Sequence, residues 1–161
     1  MKKIALLAVS TLLLAASMTA NAKYNGEERG RPVMPATVNP TFQQECAGCH
    51  VAYAPGLLPA ASWTKVMGGL DKHFGVDASL SAAENKTITD FLVKNASTRW
   101  TAKTAPLRIT ETAWFKAKHD SREISPDVWK RPAVKGAFNC SACHGGADKG
   151  DFSERNIRIP K

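Results

Sequence analysis

The four cysteines of this 161-residue chain lie in two short motifs of the same form. Cys46-Ala47-Gly48-Cys49-His50 and Cys140-Ser141-Ala142-Cys143-His144 both have the pattern C-x-x-C-H, which is the attachment signal of a c-type haem. In that chemistry two thiols add to the two vinyl groups of one porphyrin, and the next residue, His, becomes an axial ligand of the iron. The motifs therefore predict two covalently attached haem c groups, with His50 and His144 as proximal ligands.

Other interpretations of a C-x-x-C pair compete with haem attachment. Such a pair can be a redox dithiol, half of a zinc site or, in an exported chain, a source of disulfides. None of these needs a histidine directly after the second cysteine, and here the histidine occurs twice. The two motifs also use all the cysteines of the chain. Haem attachment is therefore the favoured interpretation.

The two remaining histidines, His73 and His119, match in number the two irons that each need a sixth ligand. Methionine is the alternative sixth ligand and would raise the reduction potential. Met34 and Met67 follow the first 22 residues, and no methionine follows Met67. We therefore favour His119 for the second haem, and for the first haem we favour His73 over Met67.

Two predicted helices position these candidates. Ser62 is a good N-cap, and after it apolar residues recur at helical spacing: Trp63, Val66, Met67, Leu70 and Phe74. Met67 lies inside this stripe and is predicted to be core, whereas His73 lies on its flank, just before a stop at Gly75. A second short helix, which Thr110 can cap, places Phe115 and His119 on one face.

The first 22 residues have the form of a secretory signal peptide. Lys2 and Lys3 precede an apolar run over residues 4–18, and Ala20-Asn21-Ala22 supplies the small residues of a cleavage site. An uncleaved anchor is the alternative, but a spanning helix needs about 20 apolar residues. We expect cleavage after Ala22 and a periplasmic mature protein of 139 residues, with formal charge +6 and no membrane span.

The rest of the chain predicts a mainly α fold with long loops and two small haem domains, residues 23–97 and 98–161. Asn39 and Pro40 begin a helix that leads into the first motif, and a capping box at residues 81–84 begins another. Domains of about 60–75 residues are marginal for a core of their own. Each haem would therefore form much of its domain's core, and the haem-free chain is predicted to be largely unfolded.

Charge is unevenly distributed between the two predicted domains. Residues 23–97 contain seven basic and seven acidic residues, whereas residues 98–161 contain thirteen basic and seven acidic ones. A basic second domain favours docking of an acidic redox partner, because complementary charge raises association rates. The alternative is ordinary solvated surface charge. Nucleic-acid binding is not supported by any motif.

Over most of the predicted mature chain, the sequence resembles the bacterial dihaem cytochrome c family. Beyond the haem motifs, the resemblance rests on short stretches: Tyr53-Ala54-Pro55-Gly56-Leu57-Leu58-Pro59, Ser62-Trp63, His73-Phe74-Gly75, Trp129, Gly150-Asp151-Phe152 and Ile157-Arg158-Ile159-Pro160. It implies a first domain similar to class I cytochrome c and two histidine ligands on each iron. Domain order then pairs His50 with His73 on the first haem and His144 with His119 on the second, and crossed ligation is the alternative.

The resemblance further implies electron transfer between a membrane b-type cytochrome and a soluble oxygen-binding c-type haem protein. An iron with both axial positions filled has no site for a substrate, so we expect a one-electron carrier rather than an enzyme. The alternative is a haem enzyme, such as a peroxidase, or a gas-binding protein whose distal histidine is labile.

Overall fold

Short helices joined by long irregular segments make up the part of the chain that the structure describes. The computed structural model describes residues 32–98 and 105–161, so the predicted signal peptide lies outside the described residues. Four α-helices occur in these ranges: α1 (Pro40–Cys46), α2 (Ala60–Met67), α3 (Ala82–Lys94) and α4 (Ala113–Lys118). Single 3-10 turns occupy Pro55–Leu57, Leu70–Lys72, Ile109–Glu111, Val128–Lys130, Cys140–Ala142, Ala147–Lys149 and Glu154–Asn156. The predicted mainly α fold with long loops is confirmed.

Helices α1 and α3 begin where their capping residues predict. The Asn39 side chain accepts a hydrogen bond from the Phe42 N–H at 2.9 Å, and Pro40 occupies the first helical position. At α3 the Ser81 hydroxyl accepts from the Glu84 N–H, and the Glu84 carboxylate accepts from the Ser81 N–H. Both caps satisfy backbone donors that have no partner inside the helix.

Helix α2 differs from its prediction at both ends. It begins at Ala60 with Pro59 as N-cap, so the assignment of Ser62 as N-cap was wrong, and Ser62 is fully buried. The helix also ends at Met67, with Gly68 as C-cap, rather than continuing to Gly75. Two successive glycines favour termination here, because glycine lowers helix stability by about 1 kcal/mol relative to alanine. His73 therefore lies in a turn beyond the helix.

Helix α4 begins two residues later than predicted. Thr112, not Thr110, is the N-cap, and its hydroxyl accepts from the Phe115 N–H at 3.2 Å. The same hydroxyl donates to the Ile109 carbonyl at 2.6 Å, which ends the preceding 3-10 turn. Phe115 and His119 remain one helical turn apart on the same face, as predicted.

One cluster of buried side chains joins both predicted domains. Phe42 of α1 packs with Ile88 and Leu92 of α3, and all three are at most 2% exposed. Ile109 and Phe115 from the second half belong to the same cluster. Residues 31–161 accordingly form one compact unit. The boundary at residue 97 lies within this unit, and separate folding of the two halves stays a prediction.

The segment before α1, residues 32–39, contacts a glycine in each half of this unit; we call this segment the arm. The Val33 carbonyl accepts from the Gly56 N–H at 2.8 Å, and a Cβ at Gly56 would lie 2.7 Å from the Val33 Cα. A Cβ at Gly150 would lie 2.7 Å from the Met34 Cβ, and Gly150 also has a φ of +75°. Both positions therefore require glycine.

Extended pairing is limited to isolated bridges in the described residues. Antiparallel bridges join His73 to Val76, Gly146 to Asp151 and His144 to Ile157. Two of these bridges involve the candidate metal ligands His73 and His144, and they fix the backbone at these two residues. None of the helices in the described ranges has the length and apolar character needed to cross a membrane.

Candidate metal centres

The first C-x-x-C-H motif begins at the last residue of α1. Cys46 is half-buried, whereas Cys49 is exposed. Burial, assisted by the charge of Glu45, raises the pKa of the Cys46 thiol to about 11. Cys46 is therefore mostly protonated at neutral pH in the haem-free chain.

His50 is held in one orientation by its own backbone and by a tyrosine. Its Nδ1 lies 2.8 Å from the Val51 carbonyl oxygen. Because a carbonyl only accepts, Nδ1–H donates and Nε2 keeps its lone pair for a metal. The Tyr53 ring stacks on the imidazole, with centroids 4.6 Å apart and planes at 24°.

His73 is presented by a tight turn. The Val76 N–H donates to the His73 carbonyl at 3.1 Å, and the turn between them needs positive φ angles of 50° at Phe74 and 100° at Gly75. The guanidinium of Arg108 lies over the Phe74 ring at 3.9 Å, an arrangement that stabilises this exposed ring. Burial, then the charges of His50 and Arg108, lowers the pKa of His73, which favours the neutral, metal-binding form.

The second motif folds as a 3-10 turn rather than as the end of an α-helix. The Asn139 side chain donates to the Val134 carbonyl at 3.1 Å, and the His144 N–H donates to the Cys140 carbonyl at 2.8 Å. Burial raises the pKa of the Cys140 thiol to about 11 and also raises that of Cys143. The chain after the motif returns to it, since the Arg158 N–H donates to the Cys143 carbonyl at 2.9 Å.

His119 is the C-cap of α4, and aromatic rings surround its imidazole. Its Nδ1 lies 3.1 Å from the Phe115 carbonyl, so Nε2 again keeps its lone pair. The Phe115 ring stacks on it at 4.1 Å and 11°, and the Trp129 ring lies 6.0 Å away. Burial lowers the pKa of His119 and of His144, so both favour the neutral form. Phe152 packs edge-on against His144 at 5.3 Å.

The structure brings the four histidines together as two pairs. The ring centroids of His50 and His73 are 6.3 Å apart with planes at 24°, and those of His119 and His144 are 6.1 Å apart with planes at 70°. These are the pairs that domain order predicted. Met67, the alternative ligand for the first iron, is buried in the core cluster, as its position in the apolar stripe predicted.

The two ring separations fit a metal held from opposite sides. A metal–imidazole bond is about 2.0–2.1 Å long and the ring centre lies about 1.2 Å further on, so trans imidazoles have centroids about 6.4 Å apart. At a tetrahedral zinc ion the same bonds would bring the centroids to about 5.2 Å. The described residues contain no convergent group of three His, Cys, Asp or Glu side chains suited to a metal. The donors therefore fit two six-coordinate porphyrin irons better than zinc.

Some residues around the centres could not be found from the sequence. No local pattern marks Tyr53 as a residue of the site, although its ring lies on His50 and its hydroxyl donates to the Phe138 carbonyl at 2.6 Å. Burial, with the nearby Cys140, raises the pKa of Tyr53 to about 12, so the hydroxyl stays protonated. The contact of Arg108 with Phe74 has no signal in the sequence at all.

Comparisons with known proteins point in the same direction. The sequence model of a family described as dihaem cytochrome c matches residues 42–152. The solved dihaem cytochrome c from Rhodobacter sphaeroides is 41% identical, with a TM-score of 0.66 over 72% of this chain and 98% of that one. The dihaem cytochrome c from Shewanella baltica OS155 is 36% identical, with a TM-score of 0.67 over 76% and 93% of the two chains. No curated protein matches the sequence.

Proposed function

This chain belongs to the dihaem cytochrome c family, and from that premise we propose that it is an exported carrier of single electrons between redox proteins. Members of the family transfer electrons, and the chain carries two covalently attached haem c groups. The form of residues 1–22 supports export to the periplasm, with cleavage after Ala22. Export also fits the chemistry, since haem is attached to c-type cytochromes outside the cytoplasm.

We assign one motif and one imidazole pair to each haem. Cys46 and Cys49 hold the first haem, with His50 and His73 on its iron. The second haem is held by Cys140 and Cys143, with His144 and His119 on its iron. Each haem, when bound, supplies a one-electron change of its iron between Fe(III) and Fe(II).

The residues around the imidazoles hold the ligands in place while the iron changes between Fe(III) and Fe(II). The Val51 and Phe115 carbonyls fix the two rings that they accept from, and the strained turn at Phe74 fixes His73. Ligands held in this way move little when the iron changes charge, which favours fast electron transfer. Two imidazoles without a thioether also give lower reduction potentials than His/Met ligation.

The observation that carries the proposal is the spacing of the two imidazole pairs. At 6.3 Å and 6.1 Å, each pair is placed to occupy both axial positions of one iron. An iron ligated on both faces offers no position to peroxide or to a gas. This arrangement supports an electron carrier over the alternative of a peroxidase-like enzyme or a gas-binding protein.

An absorption spectrum of the reduced protein, recorded with and without carbon monoxide, tests this proposal. We expect a low-spin haem c spectrum that carbon monoxide leaves unchanged, because both axial positions are occupied. The purified protein should also turn over peroxide no faster than free haem does. Carbon monoxide binding by the wild-type protein, or rapid peroxide turnover, would favour the enzyme or gas-binding alternative.

The partners belong to the same proposal: a membrane b-type cytochrome and a soluble oxygen-binding c-type haem protein, as the family resemblance implies. Charge in the second half supports docking of an acidic partner there. Four of the seven acidic residues in this half form ion pairs within the chain: Glu111 with Arg108, Asp120 with Arg122, Asp127 with Arg131 and Glu154 with Lys118. Exposed lysines near the second centre have no carboxylate partner among the described residues: Lys116, Lys130 and Lys135.

We predict that anionic electron acceptors react preferentially at this basic surface. The probe is hexacyanoferrate(III), and the rate of oxidation of the reduced protein should fall as salt is added. The double variant Lys116→Glu with Lys130→Glu should lower the low-salt rate about tenfold, because electrostatic steering changes association rates by 10-fold or more. Stopped-flow absorption in the Soret band measures both effects.

The matched control makes the same charge change away from the second centre. Lys65 and Lys94 are exposed residues of α2 and α3, and their replacement by Glu should change the rate much less. Equal effects of the two double variants would show that net charge, rather than a docking surface, sets the rate. A rate independent of salt would contradict docking by charge.

A further inference from the structure

Tyr53 contacts both candidate centres: its ring stacks on His50 of the first, and its hydroxyl donates to the Phe138 carbonyl beside the second. We propose that Tyr53 forms the electron route between the two haems, by joining the proximal ligand of the first to the attachment segment of the second. This inference rests on the proposed function, since it assumes that both sites hold haem.

On the first side, the contact is made through the aromatic ring. The Tyr53 ring lies face to face with the imidazole of His50, at 4.6 Å between centroids and 24° between planes. The Val51 carbonyl holds the other edge of that imidazole through Nδ1. The tyrosine π-system is therefore in van der Waals contact with a ring that we assign to the first iron.

On the second side, the contact is made through the hydroxyl. Tyr53 donates to the Phe138 carbonyl at 2.6 Å across 85 residues of sequence. The same oxygen accepts from the Cys140 N–H at 3.1 Å. One carbonyl thus connects the tyrosine hydroxyl with a cysteine that we assign to the second haem.

The route is short because each step is a stack, a hydrogen bond or a covalent bond. It runs from His50 through the Tyr53 ring and hydroxyl to the Phe138 oxygen and then to Cys140. Electrons tunnel faster through bonded and hydrogen-bonded atoms than across an empty gap. In the exchange, one electron leaves Fe(II) of one haem and reaches Fe(III) of the other. No bond forms or breaks, and Tyr53 keeps its proton.

Two further contacts that join the halves are those of Trp114 and Arg108. Trp114 donates from its indole N–H to the Leu57 carbonyl at 3.4 Å, which lies in the loop beyond the first motif. Arg108 lies over Phe74, beside His73, and also forms a 3.9 Å ion pair with Glu111. The two Tyr53 contacts reach an assigned ligand on one side and the backbone of an attachment segment on the other.

Two substitutions in the full-length holoprotein separate the parts of the route. Tyr53→Phe keeps the ring on His50 and removes the hydroxyl, whereas Tyr53→Leu removes the ring as well. The rate of electron exchange between the haems can be measured in the half-reduced protein from exchange cross-peaks of the haem methyl signals in NMR. Only the part of the rate that does not depend on protein concentration is intramolecular.

We expect Tyr53→Phe to slow intramolecular exchange severalfold and Tyr53→Leu to slow it further. Asn85→Ala is the matched control, because Asn85 makes a side-chain hydrogen bond of similar length, 2.9 Å, to the Met67 carbonyl and touches neither motif. The control should exchange at the wild-type rate. If Tyr53→Leu fails to retain a haem, the exchange rate of Tyr53→Phe alone tests the proposal, because a phenylalanine ring can still stack on His50.

Unchanged exchange in Tyr53→Phe would overturn the proposal, and so would an equal slowing in Asn85→Ala. Either result would leave the proposed function standing, provided that the wild-type protein exchanges electrons and excludes carbon monoxide. Carbon monoxide binding by the wild-type protein would instead contradict the proposed function itself. The two failures are therefore distinguishable.

Discussion

Replacing His119 by alanine opens one iron per chain. The ferric protein changes from two low-spin haems to one low-spin and one high-spin haem, and the reduced protein binds one equivalent of carbon monoxide. The reason is geometric: at 6.1 Å from His144, His119 is placed to occupy the opposite axial position of the same iron. Small alanine leaves a space at that position that water or a gas can fill. Absorption spectra and a carbon monoxide titration measure the change.

His73→Ala should have the same effect at the other iron, and the two variants together test the pairing of ligands. The imidazole planes meet at 24° in the first pair and at 70° in the second. Near-parallel planes give a rhombic low-spin ferric EPR signal, and near-perpendicular planes give a more anisotropic one. His119→Ala should remove the anisotropic signal and His73→Ala the rhombic one. The reverse result would indicate crossed ligation.

A conservative variant controls for damage to the surrounding fold. His119→Met supplies a thioether in place of the imidazole, so the iron should stay low-spin while its potential rises. If His119→Ala leaves both irons low-spin and closed to carbon monoxide, His119 is not a ligand. Carbon monoxide binding by both irons would show that the fold, rather than one bond, had failed.

The second large effect is expected when haem attachment is prevented altogether. A chain with all four cysteines replaced by serine should lose most of its far-UV helical signal and its cooperative thermal melt. Three of the four α-helices in the described residues have eight residues or fewer, and isolated helices shorter than about 12–15 residues are marginal in water. Circular dichroism during heating measures the loss.

Replacing only Cys140 and Cys143 by serine gives a more discriminating version of the same experiment. One haem should remain, and we expect residues 98–161 to become sensitive to protease while residues 23–97 stay protected. This result would support the predicted division into two domains. Loss of protection throughout would show that the unit of residues 31–161 unfolds as a whole. A cooperative, native-like melt of the haem-free chain would contradict the role of haem as core.

The elements that the sequence predicted correctly are those whose signals are local. Asn39 with Pro40 and the capping box at Ser81 each act within three or four residues, so reading them needs no tertiary structure. Helix α2 shows the limit of such signals. Its apolar stripe continues to Phe74, yet the two glycines after Met67 end the helix, and Phe74 has positive φ and is 45% exposed. Helical spacing alone did not reveal this competition.

The candidate site divides in the same way. The motif chemistry is local, so Cys46 to His50 and Cys140 to His144 could be assigned a role from spacing. The pairing of His73 with His50 rested on domain order, and the structure places the same residues together. The contact of Tyr53 with Phe138 joins residues 85 positions apart, and no local pattern marks such a contact. Features of this kind emerge only from tertiary packing.

The packing of the arm against Gly150 has a consequence for the order in which contacts form during folding. Met34 packs directly against Gly150, because a Cβ placed on Gly150 would lie only 2.7 Å from the Met34 Cβ. More than a hundred residues separate these two positions in the chain. Closing so long a loop carries a large entropic cost, and contacts of high sequence separation slow folding. The contact of Val33 with Gly56 closes a much shorter loop and can form earlier, whereas the contact of Met34 with Gly150 must wait for the C-terminal segment. We therefore expect the Met34–Gly150 contact to be among the later contacts to form during folding.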